Sequence, residues 1–141
     1  MKTDEYLSCD GINFKSELAK KFYRYYMIKL MDHSTSKAFY AVLYAAWACD
    51  DEEDQENAVL CRKKAIPIIT ELLSGSRKND STFLLMKADI LRKAGCFEQL
   101  ISEYRDVEFN DKLLDQILAF ELDKAKRQDT ACYRVRDVTD Y

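Results

Sequence analysis

The stretch "LRKAGCFEQLISEYRDV", residues 91–107, decides the architecture. A helical pattern runs into Ala94-Gly95, breaks, and restarts at once at Phe97. Glycine adopts the left-handed backbone that commonly ends a helix, without a Cβ penalty. So short a break leaves no room for a crossover. The two helices that flank it must therefore fold back as a tight antiparallel hairpin. The other two glycines, Gly11 and Gly75, also lie between helical runs.

Working outward, periodicity and punctuation divide the chain into six helical segments. The first spans about residues 13–31, capped by Asn13, with Phe14, Leu18, Phe22, Tyr25 and Tyr26 recurring at helical spacing. The polar "DHSTS" (32–36) separates it from "KAFYAVLYAAWACD" (37–50), which is apolar nearly all round and reads as the most buried helix. The acidic "DEEDQE" precedes the third segment (57–75), well placed against its dipole. Pro67 lies inside that segment and is expected to kink or split it. Gly75 ends it. Asp80 or Ser81 caps the fourth helix (81–95), residues 97–107 form the fifth, and about 110–128 the sixth. Leu113, Leu114, Ile117, Leu118, Phe120, Glu121 and Leu122 supply the broad face of that last helix. Residues near 131–138 read as a short helix or a frayed end.

The 141 residues suit one domain. With 48% apolar and 33% charged residues the chain is globular rather than disordered. Three glycines and one proline are too few for a sandwich or barrel. A net charge of −3, with both signs spread along the chain, disfavours a nucleic-acid role. No apolar run is long enough to span a membrane, and "MKTDEYLSCDG" lacks the apolar core of a signal peptide. Cys9, Cys49, Cys61, Cys96 and Cys132 are widely spaced, with no C-x-x-C pair. They read as reduced thiols of a cytoplasmic protein.

The hairpin of residues 81–107 resembles a tetratricopeptide repeat (TPR), a 34-residue helix–turn–helix unit. With Ser81 first, Leu84 falls fourth, Ala88 eighth, Leu91 eleventh and Gly95 fifteenth; Leu100, Tyr104 and Val107 take places twenty, twenty-four and twenty-seven. Lys87, Leu100 and Lys112 depart from the family's usual leucine, alanine and proline. A second unit is outlined by Tyr40, Leu43, Tyr44 and Trp47 with Ala58 and Ala65. The resemblance implies an all-α fold of antiparallel hairpins stacked as a short TPR-like superhelix over about 36–128. An irregular helical bundle is the alternative. A fainter likeness is to the helical part of bacterial proteins that join a cysteine-rich zinc ribbon to a TPR-like segment. The paired cysteines are missing here, so no zinc site transfers.

Such folds receive an extended peptide or a partner helix on a concave face. In the TPR register Asp89, Arg92 and Lys93 project toward that groove, and Lys124 and Arg127 extend it. The asparagines of the family's carboxylate clamp are not at the matching positions. The expected function is thus a protein-interaction or scaffold module without catalysis, with a protein or peptide partner and no cofactor or metal. Self-association is a further expectation, since a short array can bury its end on a copy of itself.

The alternative is a nucleic-acid- or ligand-responsive regulator using the first helix, where Lys15, Lys20, Lys21, Arg24 and Lys29 interleave with aromatics. Core stripe plus solvated face explains the same pattern. His33, the only histidine, sits in a polar loop and reads as a capping or solvated residue. Cys49 and Cys61 read as small core residues, and Cys96 as the most exposed thiol. Asp50 to Asp54 lack the order of a calcium loop and read as a solvated helix start. A small helical enzyme would require a deep polar pocket with converging titratable groups. No phosphate-binding loop, zinc-protease or nucleophile-elbow motif is present.

Overall fold

The computed structural model describes residues 12–133. Among them are six helices and no strand: α1 Glu17–Met31, α2 Thr35–Asp51, α3 Gln55–Ser74, α4 Ser81–Lys93, α5 Phe97–Tyr104 and α6 Lys112–Lys126. The protein is all-α. Its contacts divide it into two compact units, Met1–Leu72 and Leu73–Tyr141, with the boundary in the last turn of α3.

Helix termini follow local chemistry, with corrections. Asn13 does not cap α1. Ser16 does, its hydroxyl accepting from the Ala19 amide at 3.0 Å. The preceding segment is tied elsewhere: the Lys15 amide donates to Asp54 at 3.1 Å, and the Asn57 side chain donates to the Asn13 carbonyl at 3.1 Å. Asp80 caps α4 and Asp111 caps α6. Each follows an asparagine with positive φ, Asn79 (62°) and Asn110 (57°). Asn tolerates that region better than most residues.

The Gly95 turn is a Schellman cap. Gly95 has φ +81°, its amide donates to Arg92, and the Cys96 amide donates to the Leu91 carbonyl at 2.8 Å. The same pair of bonds closes α1, α2 and α6, but there the left-handed residue is His33 (58°), Glu53 (55°) or Gln128 (56°). Gly75 follows the last residue of α3 without a positive φ, so Gly95 alone of the described glycines uses that freedom. Pro67 neither splits nor ends α3, which continues through it. The ring removes an amide that would have bonded the Lys63 carbonyl. Both residues are exposed, so water can take that carbonyl.

In the first unit α1 and α2 form an antiparallel hairpin. Small residues let three helices approach: Ala19 from α1, Ala48 and Cys49 from α2 and Ala58 from α3 share one buried cluster, with Phe14 packed against it. Nine residues of α2 are buried, among them Phe39, Val42 and Leu43. Arg62 of α3 forks onto Asp50 of α2 with bonds of 2.9 and 2.6 Å, so the acidic run is partly structural rather than only solvated. Asp54 is buried too. Burial raises its carboxyl, but bonds from the Asn57 side chain and from the Lys15 and Asn57 backbone outweigh this and hold it below the usual value.

In the second unit α4, α5 and α6 all pack on one another. Ala88, Leu91 and Leu100 are fully buried. The buried Tyr104 hydroxyl donates to the Leu84 carbonyl at 2.7 Å, tying α5 to α4. Burial drives that phenol well above its ordinary pKa, so it stays a donor. Helix α5 ends at Tyr104, earlier than expected, and residues 129–133 are not helical. The rest of the proposed 131–138 helix lies outside the described residues.

Candidate docking surfaces

Four of the five expected groove residues converge in the second unit, but not on an open trough. Arg92 is 1% exposed. Its Nε donates to Glu121 of α6 at 2.9 Å, and its Nη2 meets Asp89 at 3.4 Å. Nη1 donates to the main-chain carbonyls of Asp129 and Ala131 at 2.9 and 2.7 Å. The planar fork thus fastens the segment after α6 onto α4. Arg92 therefore does not project toward a partner as the repeat register implied. Tyr133 completes the strap: its ring stands edge-on to Phe120, its hydroxyl bonds Asp129, and Lys124 lies 5.0 Å from its centroid. Lys93 pairs with Asp89 at 2.9 Å. Arg127 remains exposed, with Asp123 at 3.4 Å.

One cation here serves several carboxylates. Burial would lower the Arg92 pKa, but Glu121, Asp89 and Asp129 more than reverse that, and the guanidinium stays charged. Each carboxylate receives only part of its charge in return. Burial, with the Asp89 charge added, pushes Glu121 up to about 7 despite Arg92. Asp129 goes the other way, held low by bonds from Tyr133 and the Ala131 amide.

The first unit carries a surface that was not anticipated. Phe22 and Tyr25 of α1 lie with Tyr40, Tyr44 and Trp47 of α2 along the outside of the hairpin. Phe22 and Tyr44 stand 5.5 Å apart between centroids, Tyr44 and Trp47 5.3 Å, Tyr40 and Tyr44 6.1 Å. Leu18 is 56% exposed, Tyr25 47%, Trp47 47% and Tyr44 39%. The signal was present in the spacing. Tyr40, Tyr44 and Trp47 form an i, i+4, i+7 stripe distinct from the alanine stripe, and Leu18, Phe22, Tyr25 and Lys29 form its counterpart. Lys29 lies over the Tyr25 ring at 5.1 Å.

His33 occupies the α1 cap and lines a cleft of about 310 Å³ with Lys29, Leu30, Ile68 and Glu71. It meets neither Cys49 nor Cys61 there. Those thiols are buried, as expected of core residues, and their mutual hydrogen bond with burial drives Cys61 well above the ordinary thiol value. Cys132 is exposed and Cys96 only half-buried, which reverses the expected order. Among the described residues no His/Cys/Asp/Glu group is arranged to hold a metal, and no helix is long and apolar enough to cross a membrane. Comparison with protein-family models, with curated proteins and with solved structures finds no match.

Proposed function

We propose that this protein is a non-enzymatic interaction module, and that it docks its partner on the aromatic strip of the α1–α2 hairpin. The exposure of Trp47 and Tyr44, whose rings adjoin each other and Phe22, with Leu18 and Tyr25 on the Phe22 face of α1, carries this reading. Contiguous apolar surface of this kind marks contact sites, and Trp and Tyr dominate their energetics. The repeat-derived groove residues support the fold of the second unit instead, because Arg92 and Lys93 are engaged within it. A TPR-like character of the α4–α5 hairpin and a cytoplasmic setting, where thiols stay reduced, complete the proposal.

The test is co-purification from native cell extract. Trp47→Ala and Tyr44→Ala, each folded by far-UV circular dichroism, should lose the partner kept by the parent chain, while Arg127→Ala should retain it. Retention of the partner by both aromatic variants refutes the assignment. The strip also lies beside Lys21 and Arg24, so the nucleic-acid alternative has its own readout. Oligonucleotide binding that strengthens as salt falls, and is lost in Lys21→Ala, would replace the protein reading.

A further inference from the structure

The strip is flanked on α2 by opposite charges at its two ends. Helices α1 and α2 are joined by residues 32–34 alone and run antiparallel. Lys29 and Lys37 therefore mark one end of the strip, while Asp51 marks the other and Glu17 lies off the α1 face of the strip. On α2 the arrangement centres on Tyr44: Lys37 lies seven residues before it and Asp51 seven after, both exposed and on the same helix face. At 1.5 Å per residue each charge stands roughly 10 Å from Tyr44 along the axis. Asp32, 4.0 Å from Lys29, offsets part of the positive end. Glu52 adds to the negative end, while Lys15, whose Nζ donates to the Glu53 carbonyl, and Lys21 beside Leu18 offset part of it, so the charge match rests on Lys37 and Asp51 of α2.

A two-fold rotation about an axis through the Phe22–Tyr44 contact turns the strip end for end. On α2 each Lys37 then lies over Asp51 of the copy, and each aromatic stripe meets its own copy. This is the self-complementarity an isologous interface requires. We propose that the occupant of the strip is a second copy of this chain, paired through the α1–α2 face as a two-fold dimer. The proposal rests on the docking surface assigned above and names its partner. Six partly exposed side chains (Leu18, Phe22, Tyr25, Tyr40, Tyr44, Trp47) offer on the order of 400–500 Å² per protomer. That is roughly 800–1,000 Å² in total, the size of a weak interface, so the dimer should exchange with monomer.

The experiment is sedimentation equilibrium of the full chain from about 1 to 500 µM, with acrylamide quenching of Trp47, the only tryptophan. A monomer–dimer equilibrium is expected, with Trp47 shielded as dimer forms. Trp47→Ala should be monomeric throughout. Lys37→Asp and Asp51→Lys should each weaken the dimer about tenfold, because each breaks two symmetry-related pairs. The double variant Lys37→Asp/Asp51→Lys restores the pairs in reversed sense and should recover to within about threefold. A monomer at every concentration overturns the proposal. So does a dimer indifferent to the single reversals or not rescued by the double one. If the chain stays monomeric while Trp47→Ala still abolishes capture of another protein, the dimer fails and the docking surface stands. If neither depends on Trp47, both fail.

Discussion

Replacing Glu121 with glutamine tests the charge arrangement beneath the strap. The side chain is buried, and the glutamine keeps its shape. Its carbonyl can still accept from Arg92 Nε, and its amide can donate toward Asp89 where a protonated Glu121 would. Burial and Asp89 move Glu121 from its ordinary value of 4.5 to about 7 in the folded protein. Between those values the folded chain holds a proton that the unfolded chain has released. Stability therefore falls as pH rises through this window, and the penalty is complete above about pH 7. A difference of 2.5 units at 1.36 kcal/mol each gives about 3 kcal/mol. The glutamine variant mimics the protonated acid and pays nothing on going to higher pH. Its stability relative to the parent should be near zero at about pH 4.5 and should grow to about 3 kcal/mol in its favour by about pH 8. Urea unfolding followed by far-UV circular dichroism at half-unit pH steps measures this difference. Asp54 and Asp129, both held low, titrate with the opposite sign, but they do so in both proteins and cancel. Parallel stability curves for parent and variant, or a variant that loses ground as pH rises, would refute the reasoning. Arg92 would then be satisfying Glu121 fully.

Further outcomes follow from single contacts. Tyr104→Phe deletes the part-buried 2.7 Å bond to the Leu84 carbonyl, which keeps its place in the α4 ladder, so it should cost about 1 kcal/mol in urea unfolding. Arg92→Met leaves Glu121 without its cation and releases residues 129–133; at pH 8 a loss of about 3–5 kcal/mol is expected, with faster amide exchange over 129–133. His33→Gly, Glu53→Gly and Gln128→Gly should each stabilise by about 0.5–1 kcal/mol, because each relieves a side chain from the left-handed region. Gly95→Ala should destabilise by about 1 kcal/mol from backbone strain alone, since an added Cβ would meet nothing within 4 Å. Among the thiols of the described residues, under native conditions a thiol reagent should label Cys132 first, Cys96 more slowly, and Cys49 and Cys61 only on unfolding.

Local order alone determined the helices and most of their ends. The Gly95 turn and the Asp80 cap act through neighbours a few residues away, so reading them needs no third dimension. The spacing of Tyr40, Tyr44 and Trp47 puts them on one face, but apolar residues nearly all round α2 read as a wholly buried helix. Whether that face is covered depends on which helix packs where, and α2 proved buried on its alanine side with Tyr44 and Trp47 left outside. Arg92 shows the same limit from the opposite direction. A charged residue at a repeat position normally faces water, yet its partners here lie 29, 37 and 39 residues on, at Glu121, Asp129 and Ala131. Ser16 took the α1 cap because Asp54 and Asn57, far along the chain, hold the segment before it. Tertiary structure decided these points because burial is a property of the partner surface, and the sequence around a residue does not contain its partner.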